Sequence, residues 1–242
     1  MFFNPIGGIR YHFRAFRFRE TEWKPFRESV GRWLEKWNPP ERELILIGAS
    51  GGYCVDFSFM KRFTKVTCVD PDPMAEVIFR WRWNRSFDKP PQLFWCQENF
   101  FGEESKKFSS ENFRAFLSAR PGAAILFSNF LGQLRFLFDD EKEEIKALEF
   151  WKSELLKCLQ GRSWASFHDR ISGNVMPTQE PFVSPRRLTD QELLNQFYSG
   201  GGELMDHLMD GFFPEAIEHS YFPWKITPET CQLVEAVKTA LL

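Results

Sequence analysis

The 242-residue chain lacks the patterns that identify metal sites and membrane spans. Its five cysteines include no C-x-x-C pair, and no group of His, Cys and acidic residues has the spacing of metal ligands. No apolar run reaches the roughly 18 residues that a membrane span needs. We therefore expect no metal site, no membrane partner, and a cytoplasmic protein with five free thiols. These cysteines are Cys54, Cys68, Cys96, Cys158 and Cys231.

A strong net charge is also missing, since 31 Lys and Arg stand against 33 Asp and Glu. The chain therefore has no general attraction for nucleic acid. Locally, "RYHFRAFRFRE" (10–20) interleaves Arg with aromatic residues, which can follow a phosphate backbone and stack bases. Its strict alternation equally predicts an amphipathic strand or an extended arm with one buried side. Nucleic acid is thus the less favoured partner, and the sequence does not indicate an oligomeric state.

A second Arg-aromatic stretch, "FRWRWNR" (79–85), falls within a helical pattern. Its aromatic residues are explained by burial against the domain, so this stretch adds little support for nucleic acid. The expected apolar face of that helix consists of Met74, Val77, Ile78 and Trp81.

Five apolar segments alternate with helical patterns in the middle of the chain. The predicted strands are "ELILIG" (43–48), "KVTCVD" (65–70), "QLFWCQENF" (92–100), "AAILFSNF" (123–130) and "SWASFHDR" (163–170). The predicted helices cover 52–63, 73–87, 109–120 and 139–159. This alternation predicts an α/β fold, with a Rossmann-like, mostly parallel sheet and helices on both faces.

Both ends of the chain extend this core, and we predict three regions. Residues 1–40 form an N-terminal extension with an amphipathic helix over 21–38, 41–172 form the cofactor-binding core, and 173–242 cap the substrate pocket as part of the same domain. In the cap, 188–199 and 202–213 read as helices and 216–226 as a late strand. A last helix is expected over 227–242, with Thr227 as its cap, Pro228 in its first turn and Glu229 beside it.

A turn of small residues follows the first predicted strand. It consists of Gly48, Ala49, Ser50, Gly51 and Gly52. Small residues let backbone N–H groups and a helix N-terminus approach a ligand closely. Asp70 ends the second strand, where its carboxylate can accept the two hydroxyl hydrogens of a ribose. The plainer interpretation is that the turn permits tight packing and that Asp70 caps the next helix. The complete strand–turn–helix–strand–acid pattern favours a nucleoside site.

The turn departs from two other nucleotide-binding patterns. It has no P-loop Lys, and Ser50 stands in the place of the second glycine of the dinucleotide pattern G-x-G-x-x-G. "YFPWK" (221–225) matches the Y-x-x-x-K spacing of short-chain dehydrogenases, but Pro223 disfavours the helix that this motif needs. An NAD(P)-dependent oxidoreductase that uses the same turn and acid stays the alternative enzyme class.

"LILIGASGG", "VTCVDPDP", "CQENFF" and "ILFSNFLGQL" together resemble four motifs of the Rossmann-like, class I S-adenosylmethionine-dependent methyltransferases. The resemblance covers roughly residues 40 to 172, and two positions depart from it. Ser50 replaces the second motif glycine, and Leu46 stands where the family commonly has an acid that contacts the methionine amino group. These departures keep a non-catalytic, methyltransferase-like binding protein as a further alternative.

The resemblance implies S-adenosylmethionine as the cofactor and a set of residues around it. Asp70 would bind the ribose, and Pro71 and Asp72 would lie where the adenine packs. Glu98 or Asn99 would meet the adenine amino group. The other expected cofactor-binding residues are Gly48, Ala49, Ser50 and Gly52 in the turn, and Ser128 and Asn129 near the methionine end and the transferred methyl.

The implied activity is methyl transfer to an unidentified small or medium-sized acceptor. "NFLG" (129–132) lacks the prolines of the (D/N)-P-P-(F/Y) motif of adenine amino methyltransferases, and no cysteine follows a proline as in cytosine C5 enzymes. No catalytic residue is identified. The pairs His168–Asp169 and Asp206–His207 lie near the expected pocket, and we expect such histidines to be hydrogen-bonded structure rather than bases.

Overall fold

The computed structural model describes residues 8–100, 109–138, 141–178, 180–200 and 202–239. Five parallel strands form one half of its sheet, with β3 at the edge: β1 (Glu43–Ile47), β2 (Lys65–Val69), β3 (Gln92–Cys96), β4 (Ala123–Ser128) and β5 (Trp164–Gly173). Their order is β3-β2-β1-β4-β5, and each neighbouring pair is parallel. The predicted α/β fold with a Rossmann-like sheet is confirmed.

The central strands are apolar because helices cover both faces of the sheet. Side chains alternate along β1, so Leu44 and Leu46 join one core cluster while Ile45 and Ile47 join the other. The first cluster lies under α1 (Ile9–Phe18), α2 (Lys24–Glu35), α3 (Phe57–Met60) and α4 (Pro73–Ser86). The second lies under α5 (Ser110–Ser118), a 3₁₀ helix (Leu131–Leu137) and α6 (Glu141–Leu159).

An antiparallel part completes the sheet beyond β5. It contains β6 (Phe182–Ser184), β7 (Leu204–Asp206), β8 (His219–Thr227) and β9 (Thr230–Thr239), with α7 (Asp190–Phe197) between β6 and β7. β9 lies between β5 and β8 and is antiparallel to both, while β7 pairs with the end of β5. The late strand expected over 216–226 and the helix expected over 188–199 are confirmed.

The helix predicted over 227–242 is wrong, because 230–239 form β9. Thr227 pairs with Thr230, so Pro228 and Glu229 are a two-residue hairpin loop rather than the first turn of a helix. The apolar run that follows fits a strand buried between two neighbours as well as it fits a helix. Pairing with β8 and β5 decides between them.

Two other predicted helices are also corrected. Within 52–63 only Phe57–Met60 is helical, since residues 53–55 cross the end of the sheet as buried, irregular chain. Within 202–213 the chain forms β7 and turns, with Leu208 at φ 56° and Gly211 at φ 77°. These left-handed residues interrupt any regular helix.

The alternation from Tyr11 to Phe18 was misleading as well, because 9–18 form α1 rather than a strand or an extended arm. His12 and Ala15 lie at helical spacing on its buried side, and Phe16 is 88% exposed. The expected apolar face of α4 is wrong too. Its buried residues are Ala75, Phe79 and Trp83, whereas Val77 and Trp81 are exposed.

All five cysteines belong to the described residues and are free, as predicted. Within the same part of the chain, no helix combines the length and the apolar character that crossing a bilayer requires.

Candidate functional site

The turn after β1 has an unusual backbone. Gly48, Ser50 and Gly52 have φ values of 73°, 44° and 68°, all in the left-handed region. A Cβ on Gly48 would lie 2.9 Å from the carbonyl oxygen of Ser128 and 2.8 Å from Cβ of Phe130. The absence of a side chain at Gly48 therefore lets the turn after β1 pack directly against the end of β4.

Asp70 is bonded to this turn. The backbone N–H of Ser50 donates to Oδ2 of Asp70 over 2.8 Å, and the N–H of Asp72 donates to Oδ1 over 2.9 Å. The side chain is 8% exposed. Burial raises the pKa of Asp70 to about 6, against the opposing effect of the hydrogen bonds from Asp72 and Ser50. Helix α4 is capped by Asp72, which accepts from the N–H of Met74, so Asp70 is not its cap.

The expected helix N-terminus is not at this turn. Helix α3 begins only at Phe57 and has its own cap, because the Asp56 side chain accepts from the N–H of Ser58. Any ligand at the turn would therefore meet the backbone of residues 48–52 and the Asp70 carboxylate rather than a helix dipole. The sequence pattern predicted the turn correctly, but the helix predicted after it (52–63) is longer than the observed helix α3.

Residues of β3 and β2 that were expected near the adenine reach the same edge of the sheet. The N–H of Asp70 donates to the carbonyl of Cys96 over 3.1 Å, which keeps the two strand ends in register. Pro71, Glu98 and Asn99 follow these ends and are exposed. Residues 101–108, which come next, lie outside the described chain.

The end of β4 contributes Ser128 and Asn129. Ser128 is buried, and Asn129 has a left-handed φ of 49° while its N–H donates to the carbonyl of Phe167 over 2.8 Å. Its Oδ1 atom is buried and has no hydrogen-bond partner among the described residues. A buried acceptor without a donor is costly. Oδ1 of Asn129 is therefore available to accept a hydrogen bond from a ligand at the end of β4.

Leu46 is fully buried among the core side chains of the α1–α4 face. The position therefore supplies no polar contact to a ligand, and Ala49, which is also buried, contributes only backbone and a methyl group. Of the ten residues expected at the cofactor, the structure brings all to one edge of the sheet, and Pro71, Glu98 and Asn99 are exposed there.

Helix α1 covers this edge, a feature that the sequence did not predict. His12 is buried and its ring nitrogens lie 3.0 Å from the hydroxyl of Tyr53 and 3.1 Å from Oδ2 of Asp72. Arg82 donates to the carbonyl of Gly51. The two His12 contacts connect the N-terminal extension to the chain that follows β1 and to the chain that follows β2.

The histidines of the two pairs, His168 and His207, behave as expected for structural groups. His168 Nε2 lies 3.3 Å from Oε2 of Glu235 inside a buried polar network. His207 Nδ1 donates to the carbonyl of Gly132 over 2.7 Å, and burial lowers the pKa of His207 to about 4. Residues 8–100, 109–138, 141–178, 180–200 and 202–239 contain no cluster of His, Cys and acids that could hold a metal ion.

The chain matches no family model and no curated protein. Among solved structures, it is similar to magnesium protoporphyrin IX methyltransferase from Synechocystis PCC 6803 with bound SAM, with 10% identity and a TM-score of 0.44 over 97% of this chain and 88% of that one. The N-methyltransferase NodS from Bradyrhizobium japonicum WM9 with bound S-adenosylhomocysteine is 12% identical in sequence, with a TM-score of 0.45 over 93% of this chain and 98% of that one. The glycopeptide N-methyltransferase MtfA with bound SAM is 13% identical in sequence, with a TM-score of 0.39 over 90% of this chain and 96% of that one. Similarities at this level are too low to assign an activity to this chain.

Proposed function

We propose that this chain is an S-adenosylmethionine-dependent methyltransferase that acts on a small or medium-sized acceptor in the cytoplasm. The observation that carries the proposal is the 2.8 Å hydrogen bond from the Ser50 N–H to the buried Asp70 carboxylate. It joins the small-residue turn after β1 to an acid after β2, and β1 is the strand paired with both β2 and β4. Ligands of open α/β sheets bind at such a switch point.

The residues at this edge fit the nucleoside and methionine parts of the cofactor. A carboxylate has about four acceptor positions, so Asp70 keeps capacity for two ribose hydroxyls after accepting two backbone N–H groups. The buried Oδ1 of Asn129 would accept from the methionine ammonium group, beside Ser128. The adenine would lie along Pro71, with Glu98 or Asn99 at its amino group.

The cofactor supplies a methyl group activated for in-line displacement by an acceptor nucleophile. The chain's contribution is orientation, since holding two reactants in line can supply much of the rate. Asp70 and the 48–52 backbone would fix the nucleoside, and Asn129 would fix the methionine end. Helix α1, held by His12 on Tyr53 and Asp72, would keep water from the reacting atoms.

The structure gives little support to a nicotinamide-dependent oxidoreductase. The dinucleotide fold continues its parallel sheet with a sixth parallel strand, whereas β5 here is followed by the antiparallel β9. "YFPWK" lies in strand β8 rather than in a helix. Tyr221 is buried and donates to Glu235, and Lys225 pairs with Glu22 over 2.9 Å, so neither faces the candidate site as a catalytic pair.

Calorimetric titration tests the cofactor. S-adenosylmethionine and S-adenosylhomocysteine should bind, with NAD and ATP much weaker. Tighter binding of NAD than of either sulfur compound would overturn the proposal. Incubating the protein and a cell extract with tritium-labelled S-adenosylmethionine then tests turnover, because binding without any transferred label would instead indicate a non-catalytic binding protein.

A further inference from the structure

A second set of polar groups surrounds Asp169 and includes the side chain of Asn129. Its centre is Asp169, which is fully buried on β5 and has Nε2 of Gln133 donating to its Oδ2. Asn129 and Gln232 present further amides to the same carboxyl. These three amides are uncharged, so none of them offsets the charge of an ionised Asp169.

Besides Oδ1 of Asn129, which the proposed cofactor would meet, two acceptor atoms in this set have no donor. Oδ1 of Asp169 and Oε1 of Gln232 are buried and have no hydrogen-bond partner among the described residues. A buried acceptor left without a donor costs about 1 to 3 kcal/mol, so a protein retains such a pair only for a reason. What both atoms require is a group that carries several N–H or O–H donors, and a positive charge would also satisfy the carboxylate.

The backbone of the 3₁₀ helix packs closely on Asp169. Gly132 packs directly on Asp169, since a Cβ there would lie 2.6 Å from its carbonyl oxygen and 2.8 Å from its nitrogen. Asn129 connects the end of β4 to this group, because its N–H donates to the carbonyl of Phe167 on β5 and its side-chain amide contacts the Asp169 carboxyl. Tyr11 of α1 and Cys54 lie within electrostatic reach of the same carboxylate.

We propose that Asp169 and Gln232 bind the acceptor as an amine, and that Asp169 is the catalytic residue that takes its proton. This inference rests on the proposed methyltransferase function. An amine entering as an ammonium ion donates N–H to Oδ1 of Asp169 and Oε1 of Gln232. An alcohol acceptor would satisfy only one of the two oxygens and would leave the carboxylate charge uncompensated.

The ammonium group gives one proton to the Asp169 carboxylate, which exposes the nitrogen lone pair. That lone pair forms the N–CH₃ bond as the S–CH₃ bond of the sulfonium breaks, and the electron pair of the broken bond stays on sulfur. Burial raises the pKa of Asp169 to about 7, opposed by the amides of Gln133, Asn129 and Gln232, which suits a base near neutral pH.

The test uses benzylamine as the probe and benzyl alcohol as its uncharged match, each titrated by NMR with and without S-adenosylhomocysteine. Benzylamine should bind the wild-type protein at pH 7.5, and Asp169→Asn should weaken it about tenfold or more. Asp88→Asn, on an exposed loop, should leave benzylamine affinity unchanged. The ¹³C carboxyl shift of Asp169 should titrate at a lower pH when benzylamine is present.

Equal benzylamine affinity in the wild type and a folded Asp169→Asn variant would overturn the proposal, as would benzyl alcohol binding as well as benzylamine. If Asp169→Asn does not fold, Gln232→Met decides, because wild-type benzylamine affinity in that variant would also overturn it. The proposed function fails separately, through absent S-adenosylhomocysteine binding, and the titration without that compound still reports on the amine site.

Discussion

Replacing Asp70 with Asn is the sharpest test of the candidate nucleoside site. Both carboxylate oxygens accept backbone N–H groups, from Ser50 at 2.8 Å and Asp72 at 2.9 Å. An Asn side chain keeps one acceptor oxygen but turns an NH₂ donor toward one of these N–H groups. The variant therefore loses a turn hydrogen bond and a charge at once.

The two effects on folding stability oppose each other. The pKa of Asp70 rises from 3.8 to about 6, mainly through burial, so keeping it ionised at pH 7 costs about 3 kcal/mol. Asn removes this cost but leaves one N–H group without its acceptor, which costs about 1 to 3 kcal/mol. We expect the free energy of unfolding at pH 7 to change by less than about 2 kcal/mol.

The pH dependence of this stability has a definite sign. Because the folded pKa is raised, the contribution of Asp70 to stability is fully present below pH 3.8 and is lost as pH rises through about 6. Wild-type protein should therefore lose stability relative to Asp70→Asn between pH 4 and pH 7. Chemical denaturation at several pH values measures this difference.

Ligand affinity should respond much more strongly than stability. Losing a charge-assisted acceptor for the ribose hydroxyls should weaken S-adenosylhomocysteine binding by about 2 to 4 kcal/mol, or about thirty- to a thousandfold. Asp56→Asn is the matched control, since Asn also caps helices and Asp56 serves only as the cap of α3. Wild-type affinity in folded Asp70→Asn would refute the nucleoside site.

Asp70, Gly48 and Glu235 can each be tested in a further way. S-adenosylhomocysteine affinity should fall about tenfold between pH 7 and pH 5 as the Asp70 carboxylate is protonated, and a flat calorimetric profile would contradict its role as acceptor. Gly48→Ala should destabilise the fold by about 2 to 4 kcal/mol in urea denaturation, because it adds a Cβ at positive φ against neighbouring backbone. Gly122→Ala is the control, since a Cβ there meets open space and should change the free energy of unfolding little. Glu235→Gln should lower the free energy of unfolding by about 3 kcal/mol or more in the same measurement, because it leaves the buried Arg170 without its buried carboxylate. A smaller loss would mean that the other acidic partners of Arg170 stabilise its charge.

The sequence predicted the central sheet well, for a local reason. Buried parallel strands are short apolar runs that end in small or acidic residues, and each of the five was recognisable without its neighbours. The turn at Gly48 and the acid at Asp70 belong to that same local pattern. Their direct hydrogen bond follows from parallel neighbouring strands, which the alternation of elements had already indicated.

Where a segment could satisfy two periodicities, only tertiary contacts decided its structure. The sequence of residues 230–239 predicts a helix, but pairing with β8 and β5 on its two sides makes this segment a strand. The alternation over residues 11–18 predicts a strand, but the segment is a helix that buries His12 and Ala15 at helical spacing.

The group of side chains around Asp169 could not be predicted from the sequence either. The Asp169 side chain meets Asn129, Gln133 and Gln232, which lie 40, 36 and 63 positions away in the sequence and come together only because β4, β5 and β9 lie side by side in the sheet. Sequence alone determined where the strands end and which small or acidic residues stand there. The buried carboxyl with unpartnered acceptors was decided by tertiary structure, because burial and hydrogen-bond satisfaction depend on neighbours that are distant in the chain.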